Sequence, residues 1–357
     1  MDVTATYTAI DPSEARILAI LGVGFIALSG CIIFGNSMIL ISIRRFRKLQ
    51  TMTNRFVFSL ACADLSAGLS ILWQATFNFK PEMDLVGTLC ISRLIQIIPT
   101  YCSILHLGII ATDRYLAILH PLRYHDFMTT KVANILICIA WTLGIIFGTI
   151  FMATSRFIPG VTHCMMVDIV PPVVLLTVLH GIFGILLSFI MYLYSAIFVA
   201  ARRQIIQIQA LEVTNTTKDK KSSNMGKELK AAKQLAFIVF VFLVTHSPAL
   251  LISVFGFFYH HYMTSDEYLV YYKISLFIMF FNSFMNPIVY ALKSKEFKEA
   301  FKRILSRSRI LEGQREDSLG FDDGSSVDTR ISNLNSISKA VTRVIHVRNA
   351  MQTTPHS

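Results

Sequence analysis

The sequence predicts an all-α membrane protein, a bundle of seven transmembrane helices followed by a short amphipathic eighth. Three observations predict it. Hydrophobic residues make up 54% of the 357 positions and charged residues only 15%, a balance that a soluble chain of this size does not carry. Apolar stretches long enough to cross about 30 Å of hydrocarbon recur seven times, near residues 17–43, 56–77, 91–119, 132–152, 170–200, 231–258 and 269–292. These runs are continuous rather than alternating, and in lipid each backbone group has to be satisfied within its own segment, so the spans are helices and not barrel strands.

An odd number of spans puts the two termini on opposite sides of the membrane. The formal net charge of +11 does not point to nucleic acid, because the bases gather in alternate short loops, the pattern that marks a cytoplasmic face. Arg44, Arg45, Arg47 and Lys48 follow the first span, Arg123 and Lys131 follow the third, and Arg202, Arg203, Lys227 and Lys230 lie between the fifth and sixth. The N-terminus carries Asp2, Asp11 and Glu14 beside a single Arg16 and is expected outside. No cleavable signal precedes Ile17, so the first span is expected to act as an uncleaved anchor. The organisation predicted is an extracellular segment 1–16, a bundle 17–292, an amphipathic helix 293–305 and a disordered cytoplasmic tail 306–357.

Taken in order, span one carries Gly35-Asn36, and span two places Asp64 near mid-membrane. An acid at that depth is a functional candidate unless it is a buried, hydrogen-bonded structural group. Tyr101 and Ser103 in span three, Trp141 in span four, and Asn282, Ser283 and Asn286 in span seven lie at comparable depth. Their oxygens suit a hard cation such as sodium. Cys31, Cys62, Cys102 and Cys138 fall within spans and read as small buried hydrophobes, whereas Cys90 and Cys164 lie on the expected outer side, where a disulfide can form.

Span three ends in Asp113, Arg114 and Tyr115, followed by a Pro-containing turn. Arg offers a planar, permanently charged fork that can pass to another partner when neighbouring helices move; the plain alternative is a solvated ion pair at a helix end. Pro248 in span six removes a backbone hydrogen bond and supplies a hinge, and Glu228 at that span's inner end can accept Arg114. Pro287 in span seven makes a second hinge, with Tyr290 beyond it. In the stretch that follows, Phe297, Phe301 and Ile304 fall on one helical face opposite Lys295, Lys298 and Lys302, which suits a helix on the inner leaflet. The Ser-, Asp- and Asn-rich tail is too polar to build a core. No phosphate loop, metal cluster or catalytic triad pattern appears, which argues against an enzyme. A transporter or channel is disfavoured too, since only Asp64 is a deep charge and no inverted repeat is visible.

From Gly35 to Ile304 these residues together resemble the rhodopsin-like (class A) G-protein-coupled receptors. The motifs are Gly35-Asn36, Leu60–Asp64, Asp113-Arg114-Tyr115 with His120-Pro121-Leu122, Trp141, Tyr194, the stretch Lys227–Lys233 with Phe242 and Pro248, and Asn286-Pro287-Ile288-Val289-Tyr290. The resemblance implies that Arg114 pairs with Asp113 and Glu228 at rest and meets a heterotrimeric G protein when span six swings out. It implies that Tyr194 and Tyr290 hold the open form and that Pro121 and Leu122 insert into the G protein. It also implies that Asp64, Ser103, Asn282, Ser283 and Asn286 form a sodium and water network. Phe242 and Pro248 match the transmission region. A plasma-membrane receptor for a small or lipid-like extracellular ligand follows, with arrestin and receptor kinases acting through the tail and no cofactor beyond an allosteric sodium ion. The alternative is a constitutively active or ligand-silent orphan or decoy receptor.

Several departures from the family pattern stand out. Span six reads Thr245-His246-Ser247-Pro248, an imidazole where the family carries tryptophan, and His246 is either a packed neutral residue bonded to a neighbour such as Asn282 or a proton-sensitive switch at the hinge. Leu186 occupies the place of the usual span-five proline. Cys90 lies one residue closer to Arg114 than usual, and Pro99 is expected to bend or tighten span three. No acid lies between Cys90 and Asp113 to pair an ammonium; Gln96 sits near that level, and the expected ligand pocket comprises Gln96, Thr100, His180, His246 and Tyr272. Within the family, the chain resembles the amine, adenosine and melanocortin cluster most.

Overall fold

The computed structural model describes residues 12–77, 86–156, 169–212, 220–259 and 265–306. Seven of its helices are long and apolar enough to cross a membrane. α1 is Pro12–Arg45, α2 Met52–Phe77, α3 Val86–Leu119 and α4 Thr130–Thr154. α5 opens as Pro172–Val174, widens into a π-helix over Leu175–Ile182 and resumes as Phe183–Glu212. α6 is Lys220–Tyr259 and α7 Ser265–Lys293, and α8 runs from residue 295 to 306. All seven spanning helices lie in one compact unit, Met1–Phe301.

α3 is the axis of the bundle. In its most apolar window 72% of residues are buried, against 22% for α4 and 17% for α5, and it packs on α2, α4, α5 and α6. α1 closes the bundle by packing on both α2 and α7. The outward faces carry large apolar side chains such as Ile20, Ile185 and Leu251, which in a soluble protein would be a liability and in hydrocarbon is the favoured arrangement.

Small residues decide how close the helices come. A Cβ at Gly35 would lie 2.8 Å from the Pro287 ring, so this glycine lets α1 reach α7 beside the proline hinge. Gly144 and Gly148, one turn apart on α4, face Cys102 and Ile98 of α3, and a Cβ at either would overlap those side chains. This is the close backbone approach that small-xxx-small spacing permits in lipid.

Three features add detail to the expected bundle. Pro99, expected to bend or tighten span three, lies inside α3 without interrupting it. Leu186, in the place of the span-five proline, lies in regular helix, and the π-helical segment precedes it, stabilised by His180 Nδ1 donating to Leu175 O at 2.9 Å and by the Tyr101 hydroxyl donating to Val178 O at 2.5 Å. On the apolar face of α8, Phe297 is buried against Tyr290 with ring centroids 5.3 Å apart, while Phe301 and Ile304 are half-buried. Ser294 Oγ caps the start of that helix by accepting from Phe297 N. The expected disordered tail beyond residue 306 lies outside the described residues.

Candidate functional site

At the inner end of α3 the aspartate and arginine are buried together. Asp113 is fully buried and accepts Arg114 Nε at 3.0 Å and Nη2 at 2.7 Å. The same carboxylate takes Thr53 Oγ1 of α2 at 2.7 Å and the Tyr124 hydroxyl at 2.7 Å, and Arg114 Nη2 also donates to Thr53 Oγ1. Four donors on one carboxylate make this a held ion pair and not the solvated surface pair of the plain alternative. Thr53 and Tyr124 escaped the sequence reading: one belongs to another helix, and the other lies in the one-turn helix Tyr124–Phe127 that folds back beneath α3. Tyr115 is half-buried against His120, whereas Pro121 is exposed and Leu122 is 94% exposed. Glu228 lies in α6, but its side chain is outside the described residues, so the expected Arg114–Glu228 contact is too.

A turn or more outward sits the polar core around Asp64. Its Oδ1 accepts Ser103 Oγ at 3.2 Å and Ser283 Oγ at 2.7 Å, and its Oδ2 accepts Asn286 Nδ2 at 2.8 Å. Asn36 of α1 joins this layer by donating to Ser283 O at 3.2 Å. The Oδ1 atoms of Asn36, Asn282 and Asn286 are buried with no hydrogen-bond partner. Tyr101 and Trp141 are not part of the cluster: Tyr101 bonds the π-segment, and Trp141 Nε1 donates to Ser59 Oγ at 2.9 Å. Ser59 in turn meets Nε2 of His106 at 2.7 Å, while His106 Nδ1 donates to Cys102 O at 2.7 Å. The carbonyl can only accept, so Nδ1 carries the proton and Nε2 accepts from Ser59. His106, fully buried, was missed in the sequence; a polar side chain inside an apolar span was the signal that pointed to it.

Between the polar core and the outer face, His246 is clamped in an aromatic stack. Its ring lies 3.8 Å from Phe242 and 5.6 Å from Phe183, with interplanar angles of 20° and 26°. Nδ1 donates to Phe242 O at 2.9 Å, so the expected bond to Asn282 is not made. Phe242 and Pro248 sit on the same stretch of α6. Tyr194 and Tyr290 are both buried, and the Tyr290 hydroxyl has no hydrogen-bond partner.

Above this stack opens a cavity of about 80 Å³ lined by α2, α3, α5, α6 and α7. Gln96, Thr100, His246 and Tyr272 line it as expected. His180 does not: it is turned to α6, where its Nε2 meets Ser253 Oγ at 3.0 Å, and Ser253 is the residue that lines the cavity. Arg93, unremarked in the sequence, also reaches the cavity. Cys90 is buried at the outer part of α3, while Cys164 lies outside the described residues, and so does the expected pairing of the two.

Residues 35–290 match the family model described as 7 transmembrane receptor (rhodopsin family). The chain belongs to that family. The receptor is 29% identical over 322 residues to trace amine-associated receptor 6 of Mus musculus, a match covering 84% of this chain and 88% of that protein. It is 32% identical over 307 residues to adenosine receptor A2a of Equus caballus, covering 81% of this chain and 72% of that protein, and 31% identical over 307 residues to the Homo sapiens form. The receptor is thus a class A, multi-pass plasma-membrane protein that signals through G proteins, it is not an enzyme, and it stands near the amine and adenosine receptors as expected.

Proposed function

We propose that the receptor takes up a small extracellular molecule in the cavity between α2, α3, α5, α6 and α7 and passes the signal inward through α6 to the Asp113–Arg114 pair. The observation that carries this reading is the column of three layers on one bundle: an outer cavity, an aromatic stack at the α6 proline, and a held ion pair beside an exposed Pro121-Leu122. At rest Asp113, Thr53 and Glu228 restrain Arg114. Outward movement of α6 about Pro248 frees the guanidinium for the G protein, and Pro121 and Leu122 dock on the same partner. The Tyr290 hydroxyl, buried without a partner, gains one from Tyr194 in the open form. Arrestin and receptor kinases act through the tail, and the N-terminus faces outside, in keeping with the basic inner loops.

The polar core fits a sodium ion. A hard cation needs oxygen ligands, and the Asp64 carboxylate, the Ser103 and Ser283 hydroxyls and the unpartnered Oδ1 atoms of Asn282 and Asn286 supply them in one buried layer. The ion would offset the Asp64 charge and hold α2, α3 and α7 together. The ligand-silent alternative draws its support from the same stack, since His246 lies against Phe242 with Phe183 beside both rings.

The test is Glu228→Ala, assayed in cell membranes against a panel of chimeric G proteins at matched surface expression. Basal nucleotide exchange is expected to rise, and Arg114→Ala is expected to abolish it. Unchanged exchange with Glu228→Ala on every chimera overturns the restraint.

A further inference from the structure

The lining of the outer cavity is unusual in its charge. Arg93 reaches it from α3, and its Nε is buried with no hydrogen-bond partner. The guanidinium carbon lies 5.4 Å from the centre of the Tyr272 ring, a cation–π contact that positions the fork and leaves Nε without an acceptor. One turn inward on the same helix face, Gln96 is buried, and its Oε1 too has no partner. An adjoining cavity shares Arg93 and Gln74 and adds Lys273. Among the described residues lining either cavity there is no Asp or Glu. The rest of the principal lining sets apolar Leu179, Phe183, Leu250, Leu276 and Phe280 around Thr100, His246 and Ser253.

An ammonium placed here would meet the Arg93 guanidinium and no carboxylate among the described lining residues, at a cost that burial increases. An oxyanion meets a planar donor fork that carboxylate and phosphate both match bidentately. Gln96 Oε1, an acceptor, calls for a donor close to that anion. We infer that the receptor's ligand is a compact aromatic or branched apolar oxyanion, carboxylate or phosphate, with an O–H or N–H near the acid, anchored by Arg93 and oriented by Gln96. This rests on the reading of the cavity as the ligand site. It also separates the receptor from what its relatives' names describe, an amine and a nucleoside.

The experiment uses the full-length receptor purified in detergent and titrated with matched probes while its melting temperature is followed. 3-Phenyllactate, its amide and 1-amino-3-phenylpropan-2-ol share a ring and a hydroxyl and differ in charge; phenyl phosphate sets phosphate against carboxylate. At least one oxyanion is expected to stabilise the receptor at a concentration at least about tenfold below that needed by the amide or amine, the size set by one charge-assisted hydrogen bond. Arg93→Gln is expected to erase that preference and Arg93→Lys to keep part of it, which distinguishes lost recognition from lost folding. An amine or amide that binds as well as the acid, an acid effect indifferent to Arg93→Gln, or no effect from any oxyanion overturns the inference. The same probes are run on G-protein activation. Acid binding with no change in activation sustains the oxyanion site and overturns its role in signalling, whereas a response to Glu228→Ala without acid binding sustains the signalling role and overturns the oxyanion.

Discussion

Replacing Asp113 with asparagine removes the acceptor that four donors share. The carboxylate is fully buried and takes Arg114 through two nitrogens, Thr53 at 2.7 Å and Tyr124 at 2.7 Å. Hydrogen bonds to a charged group contribute about 1.5–3 kcal/mol each, and losing one partner of a buried ion pair costs about 3–5 kcal/mol. An asparagine amide keeps one acceptor oxygen but turns N–H groups toward donors. Only the part of this loss confined to the closed state shifts signalling. If that part is about 2.7 kcal/mol, a resting open fraction near 1 in 100 rises to about 1 in 2. Tyr124→Phe deletes a single donor and leaves the pair itself, so a loss of about 1.5 kcal/mol gives roughly 1 in 10. Basal nucleotide exchange on the G protein in membranes, normalised to surface receptor number, therefore ranks Asp113→Asn above Tyr124→Phe above the unmodified receptor. Well-expressed variants with unchanged basal exchange, or a larger effect from Tyr124→Phe than from Asp113→Asn, would refute the reasoning.

The glycines of α4 offer a stability series. Gly148→Ala forces overlap with Ile98 and is expected to cost about 1–3 kcal/mol, while Gly30→Ala, with nothing within 4 Å of its new methyl, is expected to be neutral or stabilising by a few tenths through helix propensity; equal melting temperatures for the two variants would dismiss close α3–α4 approach as the reason for Gly148. The purified receptor is expected to melt higher in sodium than in N-methylglucamine, by about 1.4 kcal/mol at ten times the dissociation constant, and Asp64→Asn is expected to lose that difference; a variant that keeps it removes Asp64 from the sodium site. Non-reducing peptide mapping is expected to recover Cys90 joined to Cys164, and two free thiols would end that assignment.

The fold was legible in the sequence because the constraint that dictates it is local. A segment in lipid has to satisfy its own backbone, so seven apolar runs amount to seven helices without reference to any distant contact. The positions of Asp64, Arg114, Asn286 and Pro248 were legible for the same reason: each is a costly residue in an apolar run, conspicuous where it stands. What those residues touch is a matter of helix rotation and approach, and only the tertiary structure decides it. Thr53 and Tyr124 reach Asp113 from other elements, and Ser59 links Trp141 to His106 across three helices. His180, on the π-segment of α5, meets Ser253 of α6. His246 bonds its own helix at Phe242 and stacks on Phe183 instead of crossing to Asn282. Arg93 looks in sequence like one more base near a membrane surface; the rotation of α3 is what brings its guanidinium to the cavity and over Tyr272. Span and charge are properties of a segment taken alone, whereas a pocket's chemistry depends on which faces of five helices meet, and that is settled by side-chain packing between residues far apart in the chain.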